Sequence, residues 1–208
     1  MKILVTGFEA FGNDAINPTE ELLKQLPKEI QSTKIDTLLL PVVGCKTHDI
    51  LKAAVKQNYD YIICFGLAGG ASGLRIERVA INIDDYRIMD NDGHQPIDEP
   101  IETRGKNAYF ATLPIKAIVE DLQAKHFEAM VSNSAGTYVC NHVMYEVLYF
   151  IETYKLSTRA GFVHVPYLDS QDKQPSLSLS NLVEATMQII QTCRQRQLDI
   201  KVTGGQEH

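Results

Sequence analysis

Short apolar runs alternate with amphipathic stretches along most of the chain, and this alternation constrains the fold more than any other feature. The runs 2–6, 35–43, 61–65, 129–132 and 160–165 have the length and composition of buried strands. Between them, apolar residues recur every three or four positions, which is typical of helices packed against a sheet. Alternating strands and helices predict a three-layer α/β/α sandwich with a mostly parallel, twisted sheet.

Two further strands are predicted over 75–83 and 108–113, on either side of a polar stretch from 84 to 106. Long loops in compact domains are often functional, so this stretch is expected to contain an excursion or a hairpin. One helix is predicted to begin at Asn17-Pro18, where a cap residue precedes a proline, and another at Thr47. Three more apolar stripes predict helices at 115–122, 140–151 and 179–193.

Length and charge narrow the class of protein. The 208 residues predict one domain over 1–208, with a flexible tail at about 200–208. The net charge of −6, without clustered Lys and Arg, argues against a nucleic-acid partner. The apolar start is too short for a secretory signal, and no run approaches the roughly 18 apolar residues of a membrane span. A soluble, cytoplasmic protein without a membrane partner is therefore expected.

The four cysteines are widely spaced, without a Cys-x-x-Cys pair, so neither a metal site nor a cofactor is predicted. In the cytosol they are expected to be free thiols. Cys64 and Cys193 are best explained as small buried apolar residues.

Four polar segments each follow or form a predicted strand, at 7–12, 66–70, 132–142 and 163–167. Ligands of α/β sheets bind at the carboxyl ends of strands, so these segments are expected to converge. Cys140 lies where the third segment gives way to a helix. The positive end of a helix favours a thiolate, which makes Cys140 the candidate nucleophile.

A nucleophilic cysteine needs a base nearby in space. His142 follows two positions later, where a helix points it away from Cys140. His164 lies within an apolar strand and needs a polar partner there, which fits a catalytic base and a hydrogen-bonded core histidine equally well. Residue type alone does not favour Glu77 over Glu9 or Asp98 as the carboxylate that orients the base.

Several motifs occur in order between residue 2 and about residue 190. They are GFEAFG at 7–12 with Asn17-Pro18, ERVAIN at 77–82 with DDYR at 84–87 and PID at 96–98, SAGTYVCNH at 134–142, and GFVHVPY at 161–167. Together they resemble the pyroglutamyl peptidases (pyrrolidone-carboxylate peptidases), a family of cysteine peptidases.

The resemblance implies a phosphorylase/hydrolase-like α/β fold, a homotetramer, and hydrolysis of the peptide bond after an N-terminal pyroglutamate. It places the family's catalytic residues on Cys140 as nucleophile, His164 as base and Glu77 as orienter. The substrate-binding residues that it implies are Phe8, Phe11, Asn17, Leu67, Arg87, Tyr138 and Val139.

Three positions depart from the family. Ala10 stands where proline is frequent, Leu67 where many members have glutamine, and Ala71 where many have arginine. The last two leave open a catalytically silent binder of pyroglutamyl peptides. A nucleoside phosphorylase-like enzyme on a similar fold, dependent on phosphate and independent of a thiol, is the other alternative.

Overall fold

The alternating segments form a seven-stranded, mostly parallel sheet with helices on both faces in the computed structural model, which describes residues 1–205. Its strands are β1 (Lys2–Phe8), β2 (Glu29–Ile30), β3 (Thr33–Leu40), β4 (Tyr61–Leu67), β5 (Leu74–Glu77), β8 (Ala129–Ser132) and β9 (Arg159–Val165). Two small pairs add β6 (Val79–Ile81) with β7 (Ala108–Phe110), and β10 (Tyr167–Leu168) with β11 (Ser176–Leu177). The helices are α1 (Pro18–Gln25), α2 (Gly44–Val55), α3 (Ile115–Ala124), α4 (Val139–Thr153) and α5 (Leu179–Gln195).

The spatial order of the large sheet is β2-β3-β1-β4-β9-β5-β8. Strands β3, β1, β4 and β9 run parallel to one another, whereas β2 is antiparallel to β3, and β5 is antiparallel to β9. The predicted fold class is confirmed, with two antiparallel pairings that the sequence pattern did not indicate.

The two faces of the sheet bury different helices. Ile3 and Val5 pack into one apolar cluster with α1, α3 and α5, and Leu4 packs into the other with α2 and α4. In β9, Phe162 belongs to the second cluster. Because side chains alternate along a strand, His164 also faces the layer that holds α4.

The strand predicted over 75–83 is wrong as one element, because it breaks at Arg78. The Arg78 amide donates to Ser132 in the large sheet, whereas its carbonyl accepts from Ala111 beside the small β6–β7 pair. The chain therefore changes sheets at this residue. Glu77 is left as the last residue of a buried strand.

Several boundaries also differ from the prediction. Helix α2 begins at Gly44 rather than Thr47, and β7 ends at Phe110 rather than Leu113. The short strands β2, β10 and β11 were not predicted, because two residues are too few to show a two-residue period.

The polar loop after β6 folds back on itself, as predicted for an excursion. The backbones of Asp84 and Glu99 exchange two hydrogen bonds, of 2.7 and 3.0 Å. Asn91 fastens the loop to the segment after β1, since its side-chain amide donates to Glu9 Oε1 at 3.2 Å and to the Ala10 carbonyl at 3.0 Å. The loop therefore lies across the ends of the central strands.

The predicted flexible tail of about 200–208 is described only in part, because residues 206–208, including His208, lie outside the described residues. Within the described part, Lys116 Nζ donates to the Val202 carbonyl, and Arg78 Nη2 donates to the Gly204 carbonyl at 2.5 Å. The flexibility of the tail stays a prediction. Within residues 1–205, no helix combines the length and apolar composition needed to cross a lipid bilayer.

Candidate active site

Strand register brings Glu77 and His164 together. Strands β5 and β9 are antiparallel neighbours in which Arg75 pairs with His164 and Ile76 with Val163. Glu77 lies two residues after Arg75 and therefore shares a sheet face with His164. Such diagonal neighbours are within reach of long side chains.

The contact between them is short and buried. His164 Nδ1 donates a hydrogen bond to Glu77 Oε1 at 2.7 Å. The exposed fractions are 8% for His164 and 1% for Glu77, so solvent screens the pair poorly. Burial lowers the pKa of His164, but the charges of Cys140 and Glu77 and the hydrogen bonds to them outweigh it and raise that pKa to about 10. The site therefore favours the imidazolium form.

Cys140 is the second residue of α4, which follows the N-cap residue Tyr138. The first helical hydrogen bond runs from the His142 amide to the Tyr138 carbonyl. Within residues 1–205, no side chain caps this helix end, and its first turn carries no acidic residue. The free amides around Cys140 can stabilise a thiolate and, later, an oxyanion.

A glycine leaves the space that Cys140 occupies. Gly66 of β4 pairs with His164 of β9, and a Cβ added to Gly66 would lie 2.8 Å from Cys140 Sγ and 2.6 Å from Phe162 Cζ. Real Cβ atoms do not approach other heavy atoms so closely, so the thiol can reach His164 only beside a residue without a side chain. Sequence analysis placed Gly66 in a polar segment, but the sequence does not show that Cys140 Sγ packs against Gly66.

Gly66→Ala is expected to lower kcat/KM by about 100-fold, because the new methyl group displaces Cys140 Sγ, and misplacement by about 1 Å can cost this much. The loss is measured by the kinetics of pyroglutamyl amide hydrolysis, the reaction that the family resemblance implies. Gly161→Ala is the matched control, since its Cβ would meet Leu113 Cδ1 at 2.8 Å in the other core cluster. Both variants are expected to lose some stability through overpacking. Equal activity losses in the two would show that general destabilisation is the cause.

A cavity of about 890 Å³ opens in front of Cys140. The cavity is lined by every predicted substrate-binding residue and by the predicted nucleophile: Phe8, Phe11, Asn17, Leu67, Arg87, Tyr138, Val139 and Cys140. Glu77 and His164 are not among the lining residues, and Ala71 is absent from them also. Ala71 is buried, so its departure from the family concerns packing rather than the cavity wall.

The four polar segments all reach this cavity, but not by the predicted route. Strands β1, β4 and β9 are parallel and end at the same edge of the sheet, whereas β8 follows β5 and runs in the opposite direction. The turn at 133–138 reverses the chain and returns the start of α4 to the cavity. This reversal is the physical reason that a helix end lies beside His164.

Aromatic rings form one wall of the cavity. The Phe11 and Tyr138 rings are 5.6 Å apart, and Tyr86 lies 4.6 Å from Tyr138 on its other side. The Tyr138 hydroxyl donates to the Met89 carbonyl at 3.1 Å, which fixes the wall to the long loop. Phe8 also lines the cavity, but it is 3% exposed and offers little surface.

Asn17 lines the cavity, and both ends of its side-chain amide also make hydrogen bonds within the fold. Its Oδ1 accepts from the Thr19 amide at 3.0 Å, which caps α1 as predicted, and its Nδ2 donates to the Glu9 carbonyl at 2.9 Å. Asn17 therefore holds the loop that carries Phe11.

The cavity is also lined by charged residues that the sequence analysis did not assign to the site. Asp14, Asp85 and Lys173 line it, and Lys173 Nζ contacts Asp14 Oδ1. Lys173 lies in the segment between β10 and β11, outside the recognised motifs. The aromatic wall suits a flat, uncharged group, and the charged residues of the same cavity suit a polar chain attached to that group.

The other cysteines, His142 and Glu9 make contacts outside the group formed by Cys140, His164 and Glu77. His142 Nδ1 donates to Asp84 Oδ2 at 2.7 Å, and His142 does not line the cavity in front of Cys140. Cys64 and Cys193 are buried and free, as predicted, and Cys45 is exposed. Glu9 contacts Asn91 and the backbone of Val42 rather than an imidazole.

Comparison with known proteins gives a consistent result. A family model described as pyroglutamyl peptidase matches residues 1–196. Over the whole length of both chains, the sequence is 46% identical to a pyrrolidone-carboxylate peptidase of Streptococcus pyogenes. It is 45% identical to one of Alkaliphilus oremlandii, over 99% of each chain. The crystal structure of pyroglutamyl peptidase I from Bacillus amyloliquefaciens superposes with a TM-score of 0.92 at 38% identity, covering 97% of this chain and 99% of that one.

Proposed function

We propose, from the premise that this chain belongs to the pyroglutamyl peptidase family, that Cys140, His164 and Glu77 catalyse hydrolysis of the peptide bond after an N-terminal pyroglutamate. The chain is thus a cysteine peptidase. The single observation that carries the residue assignment is the 2.7 Å contact between His164 Nδ1 and Glu77 Oε1, beside a cysteine at a helix N-terminus. This contact supports Glu77, rather than Glu9 or Asp98, as the orienting carboxylate.

The chemistry follows from these positions. The Cys140 thiol transfers its proton to His164, and the thiolate attacks the carbonyl carbon of the pyroglutamyl residue. Backbone amides at the start of α4 stabilise the oxyanion. The imidazolium protonates the departing amine, which leaves a thioester on Cys140, and water then hydrolyses the thioester with His164 as base. Glu77 keeps the imidazole oriented and stabilises its cation.

The lining of the cavity supports a neutral lactam ring as the part of the substrate that the protein recognises. Pyroglutamate is a flat, uncharged five-membered ring, and the rings of Phe11 and Tyr138 offer it an apolar surface. Leu67 adds an apolar side chain where many relatives carry glutamine, so specificity rests on the shape of the cavity and on backbone groups. The intact triad favours turnover over the silent binder that Leu67 and Ala71 left open.

Glu77→Gln is expected to lower kcat by about 100-fold with little change in KM. Glutamine can accept the hydrogen bond but cannot stabilise an imidazolium; the corresponding change in a serine protease costs about 10⁴-fold. The loss is smaller here, because a cysteine–histidine pair can ionise before substrate binds. Steady-state kinetics on a pyroglutamyl chromogenic amide measure it.

The pH profile separates an electrostatic role from a structural one. The pKa of His164 is raised to about 10, so its imidazolium is present below that pH and is lost as pH rises through it. Removing the negative charge of Glu77 lowers this pKa, and the alkaline limb of the kcat profile is expected to move to lower pH. Asp98→Asn, at an exposed position, is the control. An unmoved limb and activity within twofold of the parent would exclude Glu77 from the triad.

We further propose that residues 1–208 form one catalytic domain, that the protein is cytoplasmic, and that it assembles as a homotetramer. Apolar side chains that are largely exposed, such as Ile97 at 70% and Phe110 at 69%, support an interface between copies. Light scattering of the purified chain tests the assembly.

A further inference from the structure

A second cavity, of about 730 Å³, lies between α2, α4 and the long loop, and Cys140 does not line it. Its walls hold four carboxylates, three imidazoles and one thiol, from Asp84, Asp90, Glu99, Glu146, His48, His94, His142 and Cys45. Among the described residues that line it, there is no lysine or arginine. The cavity therefore suits a cation.

Two of the lining side chains, His48 and Glu146, converge with the neighbouring Glu102. His48 Nδ1 lies 2.6 Å from Glu146 Oε1 and 3.6 Å from Glu102 Oε1, and the three atoms lie within 4.8 Å of one another. They come from α2, α4 and the long loop, which are far apart in sequence. One imidazole and two carboxylates form a ligand set that binds Zn²⁺ and similar ions, with water in the remaining position.

Neighbouring groups orient the innermost ligand. Glu146 is 1% exposed, and its second oxygen, Oε2, accepts from Thr47 Oγ1 at 3.3 Å and lies 3.4 Å from His142 Nε2. His142 is in turn held by Asp84 through its Nδ1. Metal ligands are commonly fixed by such outer hydrogen bonds.

Buried polar atoms in the same cavity have no hydrogen-bond partner. Within the described residues these include Asp84 Oδ1 and Tyr86 Oη, and both belong to residues at least nine-tenths buried that line the cavity. Buried polar groups normally have partners, so these atoms point to a hydrated ion or ordered water in the space they face.

We propose that His48, Glu102 and Glu146 bind one divalent transition-metal ion of the Zn²⁺ class. The ion takes the place of the proton that His48 Nδ1 shares with Glu146, and that proton leaves for solvent. Ion binding joins α4, which carries Cys140 at its start, to the loop whose residues Arg87 and Met89 line the substrate cavity. The bound ion is structural, and it stabilises the loop against the helix pair.

The test uses the full chain with Cys45→Ser and Cys140→Ser, which removes the exposed and catalytic thiols as competing zinc ligands. Equilibrium dialysis against Zn²⁺ is expected to give one ion per chain. At about 100 times the dissociation constant, the thermal midpoint is expected to rise by about 5 to 10 °C. Neither readout depends on activity, so failure here leaves the proposed peptidase function untouched.

Matched variants locate the site. In the same background, His48→Ala and Glu102→Gln are each expected to weaken binding by about 100-fold, since even outer-shell changes cost 10- to 100-fold. His94→Ala and Glu99→Gln line the cavity without joining the ligand set, and are expected to bind within about twofold of the parent. Circular dichroism confirms folding, and both ligand positions are partly exposed. The proposal would be overturned if the protein bound no Zn²⁺ at about 10⁻⁴ M, because only weak sites stay empty at that concentration. Unchanged Zn²⁺ affinity in both His48→Ala and Glu102→Gln would also overturn it, as would loss of Zn²⁺ binding in the two control variants.

Discussion

Cys140→Ala is expected to lower kcat by about 10⁶-fold, the scale seen when the nucleophile of a serine protease is removed. Alanine deletes only the sulfur atom and is well tolerated at a helix start, so the fold is expected to persist. His164 and Glu77 remain in place, but without a thiolate no thioester can form. Hydrolysis of a pyroglutamyl chromogenic amide, followed over hours at high enzyme concentration, measures the residual rate.

Cys45→Ala is the matched control for this change, because Cys45 is an exposed free thiol outside the substrate cavity. It is expected to keep the parental rate. Circular dichroism and thermal melting of both variants separate loss of chemistry from loss of fold. A folded Cys140→Ala protein that retained a tenth of the parental rate would show that another group attacks the substrate.

Pyroglutamyl substrates are expected to be cleaved at least about 10⁴-fold more efficiently than the corresponding prolyl amides. The two rings have the same size, so both fit beside Phe11. Proline lacks the ring carbonyl and carries a protonated amine, so it would leave donors in the cavity unpaired and bury a charge among aromatic rings. Sites that recognise a substrate through hydrogen bonds reject analogues that lack them by 10⁴-fold or more. The ratio of the two kcat/KM values is the measurement.

Phe11→Ala tests the aromatic wall within the same experiment. Removing this ring is expected to raise KM for the pyroglutamyl amide through lost contact area, with a smaller effect on kcat. Leu198→Ala, at a side chain that is 83% exposed and outside the cavity, serves as the control. Comparable kcat/KM values for pyroglutamyl and prolyl amides would mean that ring shape alone governs recognition.

The fold class was predictable from the hydrophobic pattern. A central strand that is buried on both faces has to be apolar along its length, and the helices that cover it have to be amphipathic. The strands β1, β4 and β9 are largely apolar and almost wholly buried, and the amphipathic stripes of α1, α3 and α5 cover one face of the sheet. The antiparallel placement of β5 was not predictable in this way, since strand direction depends on contacts between distant segments. That placement brings Glu77 to His164.

The candidate site was likewise predictable only where the signal is local in sequence. Cys140 was identifiable from local sequence, because a turn followed by a helix predicts a positive helix end. His164 and Glu77 were not separable from a core histidine and a surface carboxylate without the family resemblance. The space beside Gly66, the reversal at 133–138 and the His48–Glu102–Glu146 cluster all depend on residues distant in sequence, so no spacing pattern indicates them.

Mass-spectrometric mapping of a thiol alkylator tests the central assignment most directly. The protein is treated with a limiting amount of iodoacetamide, and the loss of pyroglutamyl amide hydrolysis is compared with the labelling of each cysteine. Cys140 is expected to react first, one label per chain matching complete inactivation, with slower labelling of the exposed Cys45 and protection of Cys140 by a pyroglutamyl peptide. Full activity with Cys140 alkylated, or inactivation that follows labelling of Cys45, would contradict the account.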